Sequence, residues 1–161
     1  MIIIENANEA DKDDVWAILK AVISTGDTYT FDPNSPKETM LNYWFGTDKH
    51  TYVARFNNRI VGTFVIKDNQ TGLGSHIANA SYMVAPTSAG LGVGKRMGEF
   101  SLMEAKNLGY HAMQFNIVVK SNERAVKLWQ KIGFSIIGEI PDAFRHVTDG
   151  LTNAYIMYQK L

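Results

Sequence analysis

The stretch Val84-Ala85-Pro86-Thr87-Ser88-Ala89-Gly90-Leu91-Gly92-Val93-Gly94-Lys95 sets three glycines at alternate positions between a strand-like run and a helix-like one. The first turn of a helix leaves N–H groups without carbonyl partners, and its dipole end is positive, so an anion is favoured there. Glycines at that point remove the side chains that would keep a diphosphate from the amides. Lys95 and Arg96 add positive charge beside them. A Gly-x-Gly-x-Gly run alone is equally compatible with a plain structural turn, so the neighbouring segments decide. A P-loop needs Ser or Thr after its lysine, and Gly94-Lys95-Arg96 lacks it. A dinucleotide fold needs its fingerprint early in a βαβ unit with an acidic residue at the end of the next strand. Here the turn comes mid-chain after a hairpin, and the next strand reads Phe115-Asn116-Ile117.

Downstream, Val93, Met97, Phe100 and Leu108 recur at helical spacing up to Gly109, and Phe115 to Val119 reads as a strand. Asn122 is placed to cap a helix in which Ala125, Leu128, Trp129 and Ile132 share one face before Gly133 ends it. Phe134 to Ile140 and Ala154 to Tyr158 read as closing strands, joined by a polar segment containing Arg145, His146 and Asp149. Upstream, His76 to Val84 reads as a strand closed by Pro86, and Thr51 to Phe56 and Ile60 to Lys67 flank Asn57-Asn58, a pair suited to a tight hairpin. Gly26 to Pro36 is turn-rich yet carries Tyr29 and Phe31, and a helical stretch from Lys37 to Phe45 follows it. Met1 to Ile4 reads as a first strand. Val15, Ile18, Leu19 and Val22 form the face of a first helix, with Asp11 and Asp14 at its positive end. This order implies an α/β (α+β) fold: a mixed sheet flanked by helices, with hairpins giving antiparallel edges and two βαβ-like units the parallel part.

With 161 residues, 45% of them apolar, the chain can bury one ordinary core, and one domain over residues 1–161 is expected. Sixteen basic and sixteen acidic side chains cancel, so no global field draws the protein to nucleic acid or an anionic membrane, and neither is an expected partner. The lack of cysteine excludes disulfides, thiolate nucleophiles and Cys-based metal sites, and fits a reducing cytoplasm. His50, His76, His111 and His146 show no metal-ligand spacing, so no metal is expected. Met1 to Ile4 is too short an apolar run for a signal sequence or a membrane span, and a cytoplasmic location is expected.

Taken with Asn122-Glu123-Arg124-Ala125-Val126-Lys127-Leu128-Trp129-Gln130-Lys131-Ile132-Gly133-Phe134, the glycine turn resembles the two signature regions of the GNAT superfamily of N-acetyltransferases, in order and in separation. The resemblance extends over most of the chain. It implies a mixed, mostly antiparallel sheet of about seven strands, splayed between its central fourth and fifth strands and flanked by helices. It implies acetyl-CoA as cosubstrate and a small-molecule amine as acceptor, with a homodimer left open. On the same ground Leu91, Gly92, Val93, Gly94 and Lys95 present amides to the coenzyme's pyrophosphate. Met83 and Val84 supply backbone groups near the thioester, and Asn122 and Ala125 flank the pantetheine or its thiol end. Two positions depart from the family. Ala89 stands where Gln or Arg is usual, so one phosphate contact is either lost or made by a neighbour such as Ser88, Lys95 or Arg96. Trp129, on the coenzyme side, stands where many members have a Tyr that protonates the departing thiolate. An indole cannot act as that acid, so a filling of core volume is its competing role. A thiol titrates near pKa ~8.5, so the thiolate can take its proton from water or the ammonium intermediate.

The amine must arrive as a free base and attack through an oxyanion, which calls for positioning, a proton route and N–H donors. Asn79, Ser81 and Met83 alternate onto one strand face, and Asn116 lies inside the partner strand, where an amide needs a partner or a ligand. Asn79, Asn116 and Ser81 are therefore expected to orient the amine and a water, with the Met83 or Val84 amide on the oxyanion. The competing reading is that the amides satisfy strand backbone. The spacing of Asn79, Asn116 and Asn122 is similar to that of acetyltransferases of proline analogues such as azetidine-2-carboxylate. The segment Ser24 to Phe31 resembles the phosphinothricin acetyltransferase branch, in which the corresponding loop covers the acceptor. Tyr29 and Phe31 are thus expected as lid residues, or else as ring anchors. His146 is expected to border the acceptor pocket, and Arg145 either pairs with a substrate carboxylate or stays solvated. The competing functions are a protein or peptide N-terminal acetyltransferase, which needs an open groove beside the Tyr29 loop, and a non-catalytic acyl-CoA-binding sensor.

Overall fold

Asn57 and Asn58 take φ of 49° and 61°, the left-handed pair that a two-residue hairpin needs. In the computed structural model, which describes every residue from Met1 to Leu161, this turn joins β2 (Lys49–Phe56) to β3 (Arg59–Asp68). Before them come β1 (Ile3–Asn6), α1 (Lys12–Ile23) and α2 (Lys37–Trp44). After them come β4 (Ile77–Val84), α3 (Val93–Asn107), β5 (Ala112–Val119), α4 (Glu123–Lys131), β6 (Ser135–His146) and β7 (Gly150–Lys160). The seven strands form one sheet in the order β1-β2-β3-β4-β5-β7-β6. Every neighbouring pair is antiparallel except β4 and β5.

Two expectations change. Of the two βαβ-like units, only β4-α3-β5 gives a parallel pair, because β7 folds back as a hairpin on β6 and inserts between β5 and β6. The polar segment before the last strand is itself strand: Phe144, Arg145 and His146 pair with Thr152, Leu151 and Gly150.

Alternation along the strands sends side chains to two helical layers. Phe64, Ile66 and Tyr82 meet Val93, Met97 and Trp129 on the α3 and α4 side. Val53, Val65 and Met83 meet Val15, Leu19, Met40 and Trp44 on the α1 and α2 side. Ile23, rather than Val22, completes the buried face of α1. No helix is long and apolar enough to cross a membrane.

Glycines set how closely α3 approaches the sheet. A Cβ on Gly62 would lie 2.8 Å from Val93 Cγ1 and 2.9 Å from Met97 Sδ, so the first turns of α3 rest directly on the β3 backbone. On the outer side, a Cβ on Gly98 would lie 2.8 Å from Ile132 Cδ1 and 3.0 Å from Trp129 Cζ3, so α4 sits equally close.

Gly62→Val is expected to lift the start of α3 despite the β-propensity of valine, at an overpacking cost of about 1–3 kcal/mol. Thermal melting should show it as a loss of roughly 2–4 °C per kcal/mol.

Candidate active site

β4 and β5 pair only at Ile77 with Ala112 and at Ala78 with Met113, and then part. Three features hold them open. On β5, Asn116 and Ile117 together oppose one position of β7 because the register shifts between Phe115 and Val118, a bulge that bends the strand. Just past the paired end, the Asn79 side-chain amide donates to the Gln114 carbonyl at 3.0 Å, so a side chain takes the acceptor that the β4 backbone would otherwise use. Farther along, the Tyr29 hydroxyl accepts from the Tyr82 N–H at 3.2 Å and donates to the Tyr82 carbonyl.

The polarity of the β4 backbone follows from its other edge. The Ala85 N–H donates to Val61, and the Ile77 carbonyl accepts from Asn69, both on the β3 side. Odd-numbered residues of β4 therefore bond β3, and Ala80, Tyr82 and Val84 turn their N–H and carbonyl groups into the gap. Met83 does not fit its expected role: its backbone belongs to the β3 ladder and its side chain is buried against α1 and α2.

At the end of β4 a 3₁₀ turn, Pro86–Ser88, leads into Gly90 and Gly92, whose φ values of 86° and 77° are left-handed. No atom outside the adjoining residues lies within 4 Å of a Cβ built on either, so the space in front of α3 is open. The Arg96 N–H makes the first intrahelical bond, to Gly92, while the N–H groups of Gly90, Gly92, Val93, Gly94 and Lys95 have no partner in the protein. Leu91 departs from expectation, since its N–H donates to the Ser88 carbonyl at 3.3 Å and its side chain points to solvent. Gly90, not singled out from the sequence, joins the donor set. A cluster of free amides before a helix, with glycines clearing the approach, fits a diphosphate.

One cleft of about 780 Å³ runs from this turn through the gap to Thr28, Tyr29, Thr30, Phe31 and Tyr43. Asn79, Ser81, Val84, Asn116, Asn122, Ala125 and Trp129 also line it. Lys95 and Arg124 are the only charged residues on its wall, which carries no carboxylate and no histidine. Arg124 was hidden inside the quoted α4 signature, where only the helix register distinguishes it from its neighbours. Asn122 caps α4 as expected, its Oδ1 accepting from the Ala125 N–H at 3.2 Å. Trp129 is buried, its ring 4.8 Å from Tyr82 and 4.9 Å from Phe115, which is the packing role.

The polar candidates divide. Ser81 Oγ makes no hydrogen bond within the protein, whereas the Asn79 amide is engaged with Gln114. Asn116 is exposed rather than buried: it donates to Asn69 at 2.8 Å and accepts from Gln114 at 3.1 Å, since the bulge carries it out of the ladder. Phe31 stands edge-on to Tyr43 at 5.2 Å and stacks on Tyr29 at 6.1 Å, so the loop is anchored to α2 by rings. Arg145 and His146 do not line the cleft. Arg145 is exposed, and His146 Nδ1 accepts from the Thr148 and Asp149 N–H groups, which secures its own hairpin turn.

Comparison with known proteins places this geometry. The model of the acetyltransferase (GNAT) family matches residues 18–134. The N-acetyltransferase aca1 of Schizosaccharomyces pombe is 27% identical over 151 residues, which cover 83% of this chain and 72% of that protein. Among solved structures, a GCN5-related N-acetyltransferase from Kribbella flavida is 35% identical, superposes with a TM-score of 0.94, and is covered over 98% of its chain by 99% of this one. A phosphinothricin acetyltransferase from Sinorhizobium meliloti, solved in complex with AcCoA, shares the fold at a TM-score of 0.88 and 16% identity, over 99% of this chain and 88% of that one.

Burial pushes the Tyr29 hydroxyl up to about 12 from its ordinary 10.0, against the opposing effect of the hydrogen bond it accepts from the Tyr82 backbone N–H. Below pH 10 both folded and unfolded chains keep this proton, and the stabilisation is complete. Above it the unfolded phenol ionises first, so stability falls as pH rises toward the folded value. Tyr82, Tyr52 and Tyr110 are raised as well, in each case chiefly by burial. Melting temperature should hold level up to about pH 9.5 and drop beyond pH 10, with a shallower drop in Tyr29→Phe.

Proposed function

Because this chain belongs to the acetyltransferase (GNAT) family, an acyltransferase family, we propose that it moves the acetyl group of acetyl-CoA onto the amine of a small acceptor that also bears a carboxylate, by direct attack with both substrates bound. The observation that carries this reading is the continuity of one cleft, from free amides at a helix start, past an unpaired strand edge, to an aromatic end without charge. A diphosphate suits the first part. An extended, amide-bearing arm suits the second, since it can add to the edge as a strand would. A compact amine suits the third.

In this reading the Gly90, Gly92, Val93, Gly94 and Lys95 amides hold the diphosphate, and Lys95 and Arg124 supply the charge that Ala89 lacks. Val84 pairs with the pantetheine arm, with Asn122 and Ala125 at its far end and Trp129 as a wall. Tyr82, in place of Met83, offers its N–H to the thioester carbonyl. With no carboxylate or histidine on the wall, the acceptor loses its proton to a water beside Ser81, Asn79 and Asn116 rather than to a side-chain base.

In this reading Lys67, which lies outside the cleft lining but beside Tyr43 at its edge, reads the acceptor's carboxylate in place of Arg145. It stands opposite Lys49 on β2 and opposite Asn79 on β4. Like charges facing across a sheet are destabilising. Asp48 pairs with Lys49 at 2.7 Å. Lys67 has no ion-pair partner, and its ammonium lies 5.7 Å from the Tyr43 ring on the cleft wall. A peptide acceptor fits less well: the Val147 N–H donates to the Gly26 carbonyl at 3.3 Å, tying the β6–β7 hairpin to the loop across the groove that a peptide needs.

Calorimetry is expected to register CoA and acetyl-CoA, with Gly92→Val weakening both by about tenfold or more as its side chain enters the open space before α3. Absence of heat from the unmodified protein overturns the reading. A turnover screen of amino acids, proline analogues, polyamines and peptides is expected to select amino-acid-like amines. Lys67→Met should raise KM about tenfold for such an acceptor and leave its amide derivative unaffected. A peptide as the best acceptor would favour the N-terminal acetyltransferase reading, and coenzyme binding without turnover of any amine the sensor.

A further inference from the structure

Resting on the acetyl-transfer reading, we propose that the Tyr29 hydroxyl is a second hydrogen-bond donor to the thioester carbonyl, beside the Tyr82 N–H, and that in the free protein it holds that carbonyl's place.

Tyr82 turns both its backbone groups into the gap, and a single side-chain oxygen from a residue 53 positions away satisfies both. That is the service a residue of the next strand would perform, and it puts a hydroxyl at a strand edge where the Tyr82 N–H and carbonyl have no other partner. A carbonyl entering the gap to accept from the Tyr82 N–H displaces the phenol oxygen from that N–H by about the length of one hydrogen bond, ~3 Å. The ring cannot go far, because it stacks on Phe31, which is set against Tyr43. A hydroxyl moved by so little remains within reach of the oxygen that displaced it.

The inventory of donors makes this position matter. Lys95 and Arg124 are the only charged residues on the cleft wall, and both belong to the elements beside the glycine turn and α4 rather than to the gap. Trp129 is buried among Tyr82, Phe115 and Phe134, and the phenol of Tyr82 itself is occupied on the other face of the sheet by Ser101 at 2.6 Å. Of the uncharged donors on the wall, the Tyr29 hydroxyl is the one bonded to the Tyr82 backbone, so negative charge developing on an oxygen held by the Tyr82 N–H meets that N–H and one phenol. The phenol acts by donation and is not consumed. Its proton is held more tightly than that of a thiol near ~8.5, so transfer to the departing sulfur is uphill. The amine nitrogen bonds to the carbonyl carbon, the carbon–sulfur bond breaks, the ammonium gives its proton to water, the thiolate takes one from water, and Tyr29 keeps its own.

Tyr29→Phe keeps the ring on Phe31 and removes only the hydroxyl. The expected result is a fall in kcat of about 10²–10³, as for loss of one oxyanion donor, while calorimetric Kd for CoA and acetyl-CoA is unchanged or tighter, because the Tyr82 N–H no longer has to be vacated. Where no acceptor has been found, acetyl-CoA hydrolysis reads the same oxyanion. A readout independent of turnover is the infrared stretch of carbonyl-labelled acetyl-CoA on the protein, which should lie at lower frequency on the unmodified protein than on Tyr29→Phe. Equal stretches, or equal kcat, overturn the proposal. So does a loss of turnover matched by an equal loosening of coenzyme, which marks a structural role. If the unmodified protein gives no heat with CoA, it is the acetyl-transfer reading that falls.

Discussion

A buried backbone group has to be paired, and this structure turns on a place where the sheet withholds the pairing. Between β4 and β5 the ladder stops after Ala78 and Met113. Left to themselves two parallel strands in register would continue, so the divergence needs a device on each side. The bulge at Asn116 and Ile117 bends β5 away. The Asn79 amide covers the first abandoned carbonyl of β5, at Gln114, and the Tyr29 hydroxyl covers the edge of β4 at Tyr82. The cleft exists because these side chains satisfy what the strands do not.

The second constraint is the distance between the gap and the helix that begins beside it. In the proposed function a diphosphate and an acyl group linked by one arm reach both at once, which requires α3 to start close to the sheet. Gly62 makes that approach possible from below, and Gly98 lets α4 press on α3 from above. Gly90 and Gly92 then turn the chain through left-handed backbone without placing a side chain before the free amides. Net charge contributes nothing to this, being zero; the free amides are backbone dipoles, with Lys95 and Arg124 at the wall.

Tyr82 joins the cleft to the core. Its backbone faces the cleft while its ring lies between Phe64 and Trp129 in the larger core, with its hydroxyl on Ser101. Close-packed rings transmit position, so the core fixes where the Tyr82 N–H points. Trp129 belongs to this support, its ring set against Tyr82 and Phe115. The aromatic end of the cleft is held differently, by a file of rings from Tyr29 through Phe31 to Tyr43 that ties an irregular loop to α2.

Periodicity, turn residues and caps were legible in the sequence, because each acts over a few residues: the Asn57-Asn58 hairpin, the Asn122 cap and the glycines before α3 depend on φ preferences and local hydrogen bonds. From these, with the resemblance they carry, came the α/β architecture, the splayed sheet and the unpartnered amides before α3. What the sequence did not reveal depends on which edges meet. The insertion of β7 beside β5, the turning of Met83 into the β3 ladder, the withdrawal of Arg145 and His146 into a hairpin, and the exposure of Asn116 all follow from register between distant strands. The contact of Tyr29 with Tyr82 spans 53 residues. No local preference encodes it, because it arises only when a backbone edge is left open and the tertiary structure brings a hydroxyl to fill it.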